Sequence, residues 1–292
     1  MPEPAAAPSV DWAEARKALR DMVGRLTSMM RSIPASTGNA LGEWRLSEVA
    51  MHLSQAWVVV PGLARRDLSR ALEFLPGMAS TPGGSLLGDV WGLRDMTKLG
   101  VASDPERNLG VLADRIDDRA AEFFSESAGS SPDDRFAWLV EGSTVTRRTL
   151  TCHLLNETIM HGYDMALVAG VPWKIERNYA AIVLAGFVIP VLQALDPRAM
   201  VDQDKAAGLH ATFDVSLRGG ARFDFVFEDG ALHVEAPAGR RADCHLSVDP
   251  VAMLMVGWNR KSQWPAIARG QFVAWGRKPW LGPRFASLIR SP

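Results

Sequence analysis

The hydrophobic periodicity of this chain changes once, between residues 195 and 206, and that change limits the folds open to it. Before it, apolar residues recur every three or four positions, as one face of an α-helix requires. After it, apolar and polar residues alternate from Leu209 to Leu217, which is the period of a half-buried β-strand. The sequence therefore predicts an α+β protein of two domains, residues 1–195 and 196–292.

The first domain is expected to be a bundle, because several long helical patterns follow one another. Helices are predicted near residues 9–33, 45–72, 104–127, 147–169 and 175–195. Asp104 and Pro105 are suitable N-cap and N1 residues for the third helix, and Gly170 is a suitable end for the fourth. The segment 74–103 is rich in Gly, Pro and Ser, which predicts a long connection that is either functional or a disordered insertion.

The second domain is expected to be an antiparallel sheet with helices. Alternating residues predict two strands joined by a tight hairpin at Asp229-Gly230. A further strand is predicted around Cys244–Val248, a helix from Asp249 through Trp258, and a short strand at Gln271–Trp275 before a terminal helix.

Composition excludes several function classes. The formal net charge of −1 gives no field that would steer the chain toward nucleic acid. The start of the sequence lacks the pattern of a signal peptide, and the apolar stretch 179–195 is shorter than a comfortable membrane span and contains Pro190. The two cysteines, Cys152 and Cys244, argue against a disulfide framework. We therefore expect a cytoplasmic protein with neither nucleic acid nor membrane as partner, and the sequence leaves its oligomeric state open.

Three side chains in the helical half could bind one metal ion. Glu157 and His161 are four residues apart on the fourth helix, so they share one face. His52 lies among apolar residues of the second helix, which predicts an inward-facing ring. Two histidines, one carboxylate and an open position form the pattern of catalytic zinc, although the same donors suit nickel, cobalt or iron(II). The alternative interpretation is a surface pair on one helix and a core histidine on the other.

Neighbouring residues of the fourth helix have weaker indications. His153 is expected to lie outside the metal ligands, because it is ~12 Å from His161 along the helix axis. Asp164 is either an acceptor that orients His161 or a solvated carboxylate. Cys152 is interpreted as a small buried residue rather than a nucleophile. The histidines of the second domain show no metal-ligand spacing.

Two segments, WRLSEVAMHL and NETIMHGYDMALVAG, resemble the signature segments of the mycothiol-dependent maleylpyruvate isomerase family, a branch of the DinB-like superfamily. The positions that match the family pattern are Trp44, His52, Glu157, His161, Tyr163 and Asp164. Residues 207–292 look like the sterol-carrier-protein-type domain that these isomerases also carry. The resemblance thus implies a DinB-like four-helix bundle with one extra helix, followed by a sterol-carrier-like α+β domain.

The resemblance also implies an activity. A divalent metal, with zinc the first choice, would be held by His52, Glu157 and His161, and mycothiol would be the thiol cofactor. A thiol on a metal is deprotonated near neutral pH, so it could add to an unsaturated acid, allow rotation about the former double bond, and leave. Arg222 is the candidate for binding a substrate carboxylate, provided that the two domains face one another, with a solvated arginine as its alternative. The expected partners are a small-molecule substrate and a low-molecular-weight thiol.

Two other functions stay open at this stage. A metal-dependent mycothiol S-transferase acting in detoxification would use the same site, although such relatives more often carry His-x-x-x-His on the last helix, whereas this chain has Glu157. A non-enzymatic protein would instead bind a lipid or another apolar ligand in the second domain, with the bundle as a metal-stabilised support.

Overall fold

The chain forms two compact units in a computed structural model that describes residues 10–33, 38–75, 77–79 and 84–290. One unit is Asp11–Lys174, which is mainly helical, and the other contains Val10 and the residues from Ile175 onward, with a five-stranded sheet. The α+β class predicted from the change in periodicity is confirmed. The division falls at Lys174, earlier than the predicted boundary at residue 195.

Four long helices of the first unit pack against one another: α1 with α5 and α6, and α2 with α5 and α6. The helices are α1 (Trp12–Ser32), α2 (Leu46–Arg65), α3 (Ser69–Leu72), α4 (Leu93–Ser103), α5 (Leu109–Glu126) and α6 (Arg147–Ala169). Two short antiparallel pairs lie beside them, β1 (Asn39–Leu41) with β2 (Trp44–Arg45) and β3 (Arg135–Ala137) with β4 (Thr144–Thr146). The core between the long helices is apolar and includes the fully buried Trp57.

Local sequence determines where these helices begin and end. The Asp11 carboxylate accepts a hydrogen bond from the Glu14 amide and caps α1. The Thr146 hydroxyl does the same for α6 by accepting from the Thr149 amide, and Gly170 ends α6 in the left-handed conformation. The α6 span therefore confirms the predicted helix at residues 147–169. The predicted end of α1 in the stretch that follows Ile33 lies partly outside the described residues.

The segment predicted as an irregular connection, 74–103, contains a helix. Helix α4 occupies Leu93–Ser103 and buries Met96 and Val101. The Gln55 amide of α2 donates a 2.8 Å hydrogen bond to the Gly100 carbonyl, and a Cβ at position 100 would come within 2.8 Å of the Gln55 oxygen. Packing against α2 thus stabilises a helix that local composition disfavours. Residues 76 and 80–83 of this segment are outside the described part.

The predicted start of the third helix at Asp104 is wrong. Asp104 follows the end of α4, and its carboxylate accepts from the Glu106 amide and pairs with Arg115 at 2.8 Å. Helix α5 begins at Leu109 because the Asn108 side chain caps it, accepting from the amides of Gly110 and Val111. Asp104 and Asn108 are both suitable capping residues. The Asp104 carboxylate accepts a hydrogen bond within the loop, and only Asn108 caps the helix.

The second unit is built on a mixed sheet with the strand order β7-β6-β5-β8-β9. Its strands are β5 (His210–Leu217), β6 (Arg222–Glu228), β7 (Ala231–Glu235), β8 (Cys244–Val248) and β9 (Phe272–Trp275). The hairpin between β6 and β7 turns at Asp229 and Gly230, both with positive φ, as predicted. A fully antiparallel sheet was expected, but β8 pairs parallel to β5. The chain leaves β7 at one edge and re-enters the sheet on the far side of β5.

Short helices of this unit precede, separate and follow the strands along the chain. They are α7 (Arg177–Val183), α8 (Ile189–Ala194), α9 (Gln203–Ala206), α10 (Pro250–Gly257), α11 (Gln263–Ala268) and α12 (Phe285–Leu288). A wider π-helical turn at Leu184–Val188 joins α7 to α8. Phe285 of α12 packs on Phe213 and Phe225, with ring centroids 5.1 Å apart in both pairs. Alternation along the strands therefore produces one continuous aromatic core on this face of the sheet.

The apolar helix that we expected to close the bundle belongs instead to the sheet unit. Gln193 donates a 2.8 Å hydrogen bond to the Val234 carbonyl of β7, and Arg177 pairs with Asp249 at 2.9 Å. Within the described ranges, Arg177–Ala194 is the one helix long and apolar enough, by composition alone, to span a membrane. Of its residues, 44% are buried inside the protein, which is also the behaviour of a core helix.

Candidate metal centre

The three predicted ligands come together between α2 and α6. Glu157 Oε2 lies 3.3 Å from His52 Nε2 and 3.3 Å from His161 Nε2. The two imidazole rings meet edge to face with centroids 4.9 Å apart. One donor atom from each of the three residues lies within 4.8 Å of the other two. Their side chains are 11–14% exposed, so the group is shielded but reachable from solvent.

Helix geometry explains this convergence. Glu157 and His161 are one turn apart on α6, and α6 packs along α2, which carries His52. Trp44, just before α2, places its ring 5.5 Å from the His52 ring and forms part of the wall of the site. Trp44, which matches the resembled pattern in the sequence, is therefore next to the ligand group.

Asp164 lies against the His161 ring. Its Oδ2 lies 3.1 Å from His161 Nδ1, and the carboxylate is buried. Nδ1 is thus engaged with Asp164, and Nε2 is the ring nitrogen that faces Glu157. A carboxylate on the far nitrogen is the arrangement found behind metal-binding histidines. Of the two sequence interpretations of Asp164, the structure favours the orienting acceptor over the solvated carboxylate.

Sequence reasoning missed one residue of the site, Asn156. Its amide donates a 3.3 Å hydrogen bond to Glu157 Oε1, while His153 Nε2 lies 3.6 Å from the same oxygen. The second carboxylate oxygen is thus fixed, and Oε2 is turned toward the two imidazoles. In the sequence, Asn156 stands directly before Glu157. The spacing of histidine and carboxylate residues does not reveal that this asparagine contacts the carboxylate.

Burial and mutual contacts shift the pKa values of the group in different directions. Burial lowers the pKa of His52, and it does the same for His153. Burial opposes the charged form of Glu157, but hydrogen bonds from His161 and His52 outweigh it, so its pKa lies well below the usual range. Burial also opposes a charge on His161, yet hydrogen bonds to Asp164 and Glu157 raise its pKa to about 9.

The donor set fits a divalent metal ion. Glu157 is held as a carboxylate, and the two Nε2 atoms and Oε2 face one another as a chelating set requires. His153 is not part of this set, in line with its expected place outside the ligands, because it contacts the other oxygen of Glu157. Burial raises the pKa of the Cys152 thiol to about 12, which agrees with a structural rather than a nucleophilic residue.

Arg222, the candidate for a substrate carboxylate, lies on β6 in the second unit. Its Nε and NH2 groups donate to the two oxygens of Asp214, with NH2 at 2.6 Å. The side chain is 56% exposed. Two of the hydrogen-bond donors of the Arg222 guanidinium are therefore already bound to Asp214. The assignment of Arg222 to a substrate carboxylate stays a prediction.

Comparison with solved structures identifies a protein of similar fold. No protein-family model matches the chain, and no curated protein matches it in sequence. A crystal structure of a mutant of the mycothiol-dependent maleylpyruvate isomerase matches with a TM-score of 0.50 at 11% identity, over 91% of this chain and 93% of that one. The chain shares its fold with that isomerase. At this identity the likeness concerns the fold alone, and the DinB-like bundle that the two signature segments implied stays a prediction.

Two further matches are partial. The sec-alkylsulfatase Pisa1 from Pseudomonas sp. matches with a TM-score of 0.32 at 18% identity over 50% of this chain, which spans 24% of the sulfatase. The ubiquinone synthesis protein UbiJ-SCP2 matches with a TM-score of 0.24 at 14% identity, over 34% of this chain and 85% of that one. The sterol-carrier character of the second unit stays a prediction.

Proposed function

We propose that this chain is a metal-dependent enzyme that isomerises a small unsaturated acid of the maleylpyruvate type with a low-molecular-weight thiol, mycothiol, as cofactor. The observation that carries the proposal is the convergence of His52 Nε2 and His161 Nε2 on Glu157 Oε2, each at 3.3 Å. The fold shared with the isomerase agrees with it.

The protein's own residues would divide the work. His52, Glu157 and His161 would hold the ion, which when bound would lower the pKa of a coordinated thiol and so provide a nucleophile near neutral pH. Asp164 would keep the His161 Nδ1 protonated and the Nε2 lone pair directed to the ligand position. Asn156 would keep Glu157 from turning its second oxygen into the site. Zinc is the ion we propose first, since two histidines and a carboxylate are a frequent catalytic zinc set.

Metal analysis tests the site. Protein stripped with a chelator and reloaded with zinc is expected to hold one ion per chain, whereas His52→Ala and His161→Ala are expected to hold less than a tenth of one. His210→Ala is the matched control, because His210 is exposed and lies on β5 in the other unit. Absence of stoichiometric metal from every preparation of the unmutated chain would remove the enzyme proposal.

The thiol requirement is then measured on the reloaded protein. Conversion of maleylpyruvate is expected only when mycothiol is added, and it is expected to disappear in the two histidine variants but not in His210→Ala. If the loaded protein joins mycothiol to electrophiles and leaves maleylpyruvate unchanged, the isomerase assignment gives way to the transferase. If it binds metal but shows neither activity, the site is structural.

A further inference from the structure

A group of basic side chains in the sheet unit, none of them a predicted metal ligand, lines an open depression. A cavity of about 390 Å³ is formed where the loop entering β8 meets the turn that follows β9. It is lined by Arg240, Arg241, Ala242, His245, Gly276 and Arg277. Three arginines and a histidine thus surround one cavity, and this lining includes no carboxylate.

The three arginines differ in the ion pairs that they make within the protein. Arg240 pairs with Glu235 at 2.9 Å, while Arg277 reaches Asp243 only at 3.5 Å and shares it with a lysine. In the part of the chain that the structure describes, the exposed Arg241 makes no hydrogen bond or ion pair. Neither of these two carboxylates, Glu235 and Asp243, is among the residues that line the cavity.

His245 is held in a fixed orientation. Its Nδ1 lies 2.5 Å from Oδ2 of the buried Asp214, and its ring stacks on Trp275 with centroids 5.5 Å apart and planes 16° apart. Asp214 is opposite His245 across the parallel pair of β5 and β8. The Nδ1 atom is therefore committed to the protein, and Nε2 is the ring nitrogen available to a ligand.

Gly276 shows that this arrangement leaves no room for a side chain at the wall of the cavity. Its φ is +112°, and a Cβ there would come within 2.9 Å of the His245 ring. Glycine at this position therefore lets the turn after β9 approach the ring closely. His245 is thus held beside the arginines by the Gly276 backbone, the Trp275 ring and the buried Asp214 carboxylate.

We propose that this cavity binds the phosphate group of a small molecule, with Arg241 as its main ligand and Arg277 and His245 Nε2 completing the contact. Guanidinium groups donate paired hydrogen bonds to oxyanions, and groups that approach from two separate loops suit a tetrahedral anion with three terminal oxygens. A planar carboxylate would use fewer of these donors. The proposal does not depend on the metal centre or on the isomerase reaction.

Calorimetric titration of the full chain with inorganic phosphate, at constant ionic strength maintained with sodium chloride, tests the site. Saturable binding is expected for phosphate and for phenyl phosphate, and weaker binding for succinate. Arg241→Ala is expected to weaken phosphate binding by about tenfold or more, the order for loss of a charge-assisted hydrogen bond. Arg269→Ala is the matched control, since this exposed arginine of the same unit does not line the cavity.

A second measurement, by nuclear magnetic resonance, tests the site without relying on the heat of binding. The ¹⁵N resonance of His245 Nε2 is expected to shift with phosphate in the unmutated chain and in Arg269→Ala, but not in Arg241→Ala. No saturable phosphate binding, equal losses in the two arginine variants, or tighter binding of succinate than of phosphate would each overturn the proposal. Saturation by phosphate without any change at His245 would also overturn it, because the ring lines the cavity.

Discussion

At the level of single residues, what the candidate metal centre could do depends on which atoms of each side chain already have a hydrogen-bond partner. Glu157 has one oxygen fixed by Asn156 and beside His153, so its other oxygen faces the imidazoles. His161 has Nδ1 against Asp164, so only Nε2 remains for a metal. Two of the three predicted ligands, Glu157 and His161, are therefore restrained by a neighbour.

Asp164→Ala tests the orienting contact. We expect zinc affinity to fall by about 10–100-fold, the usual cost of losing a hydrogen-bond partner behind a metal-binding histidine. The stoichiometry at saturating zinc should stay at one, because the three ligands are unchanged. Competition with a chelating dye measures the affinity, and Asp117→Ala, an exposed carboxylate on α5, is the control. Unchanged affinity in Asp164→Ala would show that Asp164 does not position the ligand.

At the scale of elements, α6 carries most of the site and has one close packing contact that its sequence pattern does not show. A Cβ at Gly162 would come within 2.2 Å of the Trp173 ring, which packs over the helix and donates a 3.1 Å hydrogen bond to the Ile159 carbonyl. Glycine inside a helix normally reduces its stability relative to alanine. Here it lets Trp173 pack directly against the turn next to His161.

Gly162→Ala is therefore expected to destabilise the protein despite the higher helix propensity of alanine. Displacement of the Trp173 ring should cost about 1–3 kcal/mol, as overpacking does. Gly24→Ala in α1 is the matched control: nothing lies within 4 Å of a Cβ there, so we expect a gain of about 0.5–1 kcal/mol. Urea unfolding of both variants measures the two changes. An equal gain in both would mean that Trp173 moves aside without loss.

At the scale of the whole molecule, each compact unit is stabilised by packing, and neither uses a disulfide. The two cysteines are free and buried, Cys152 in the helical unit and Cys244 in the sheet unit. Burial raises the pKa of both thiols, that of Cys152 to about 12. A raised pKa disfavours the thiolate, which is the reactive form, at every pH below that value.

Both thiols are consequently expected to be unreactive toward Ellman's reagent in the native protein at pH 8 and to react fully, two per chain, in guanidinium chloride. The native reaction should be at least about a hundredfold slower, because Cys152 at a pKa of about 12 is almost entirely protonated at pH 8. Cys244→Ala separates the two thiols and should leave one that reacts only on unfolding. Rapid reaction of that remaining thiol in the native state would contradict the burial of Cys152.

Features that depend on local periodicity and capping were predictable from the amino-acid sequence: the α+β class, the span of α6, the hairpin at Asp229-Gly230, and the face shared by Glu157 and His161. These follow from contacts between residues a few positions apart. Only the tertiary structure decided that α4 forms within a breaker-rich segment, because its stability comes from contact with α2. It also decided that β8 lies parallel to β5, which brings Asp214 to His245, since no short-range pattern records which distant strands become neighbours.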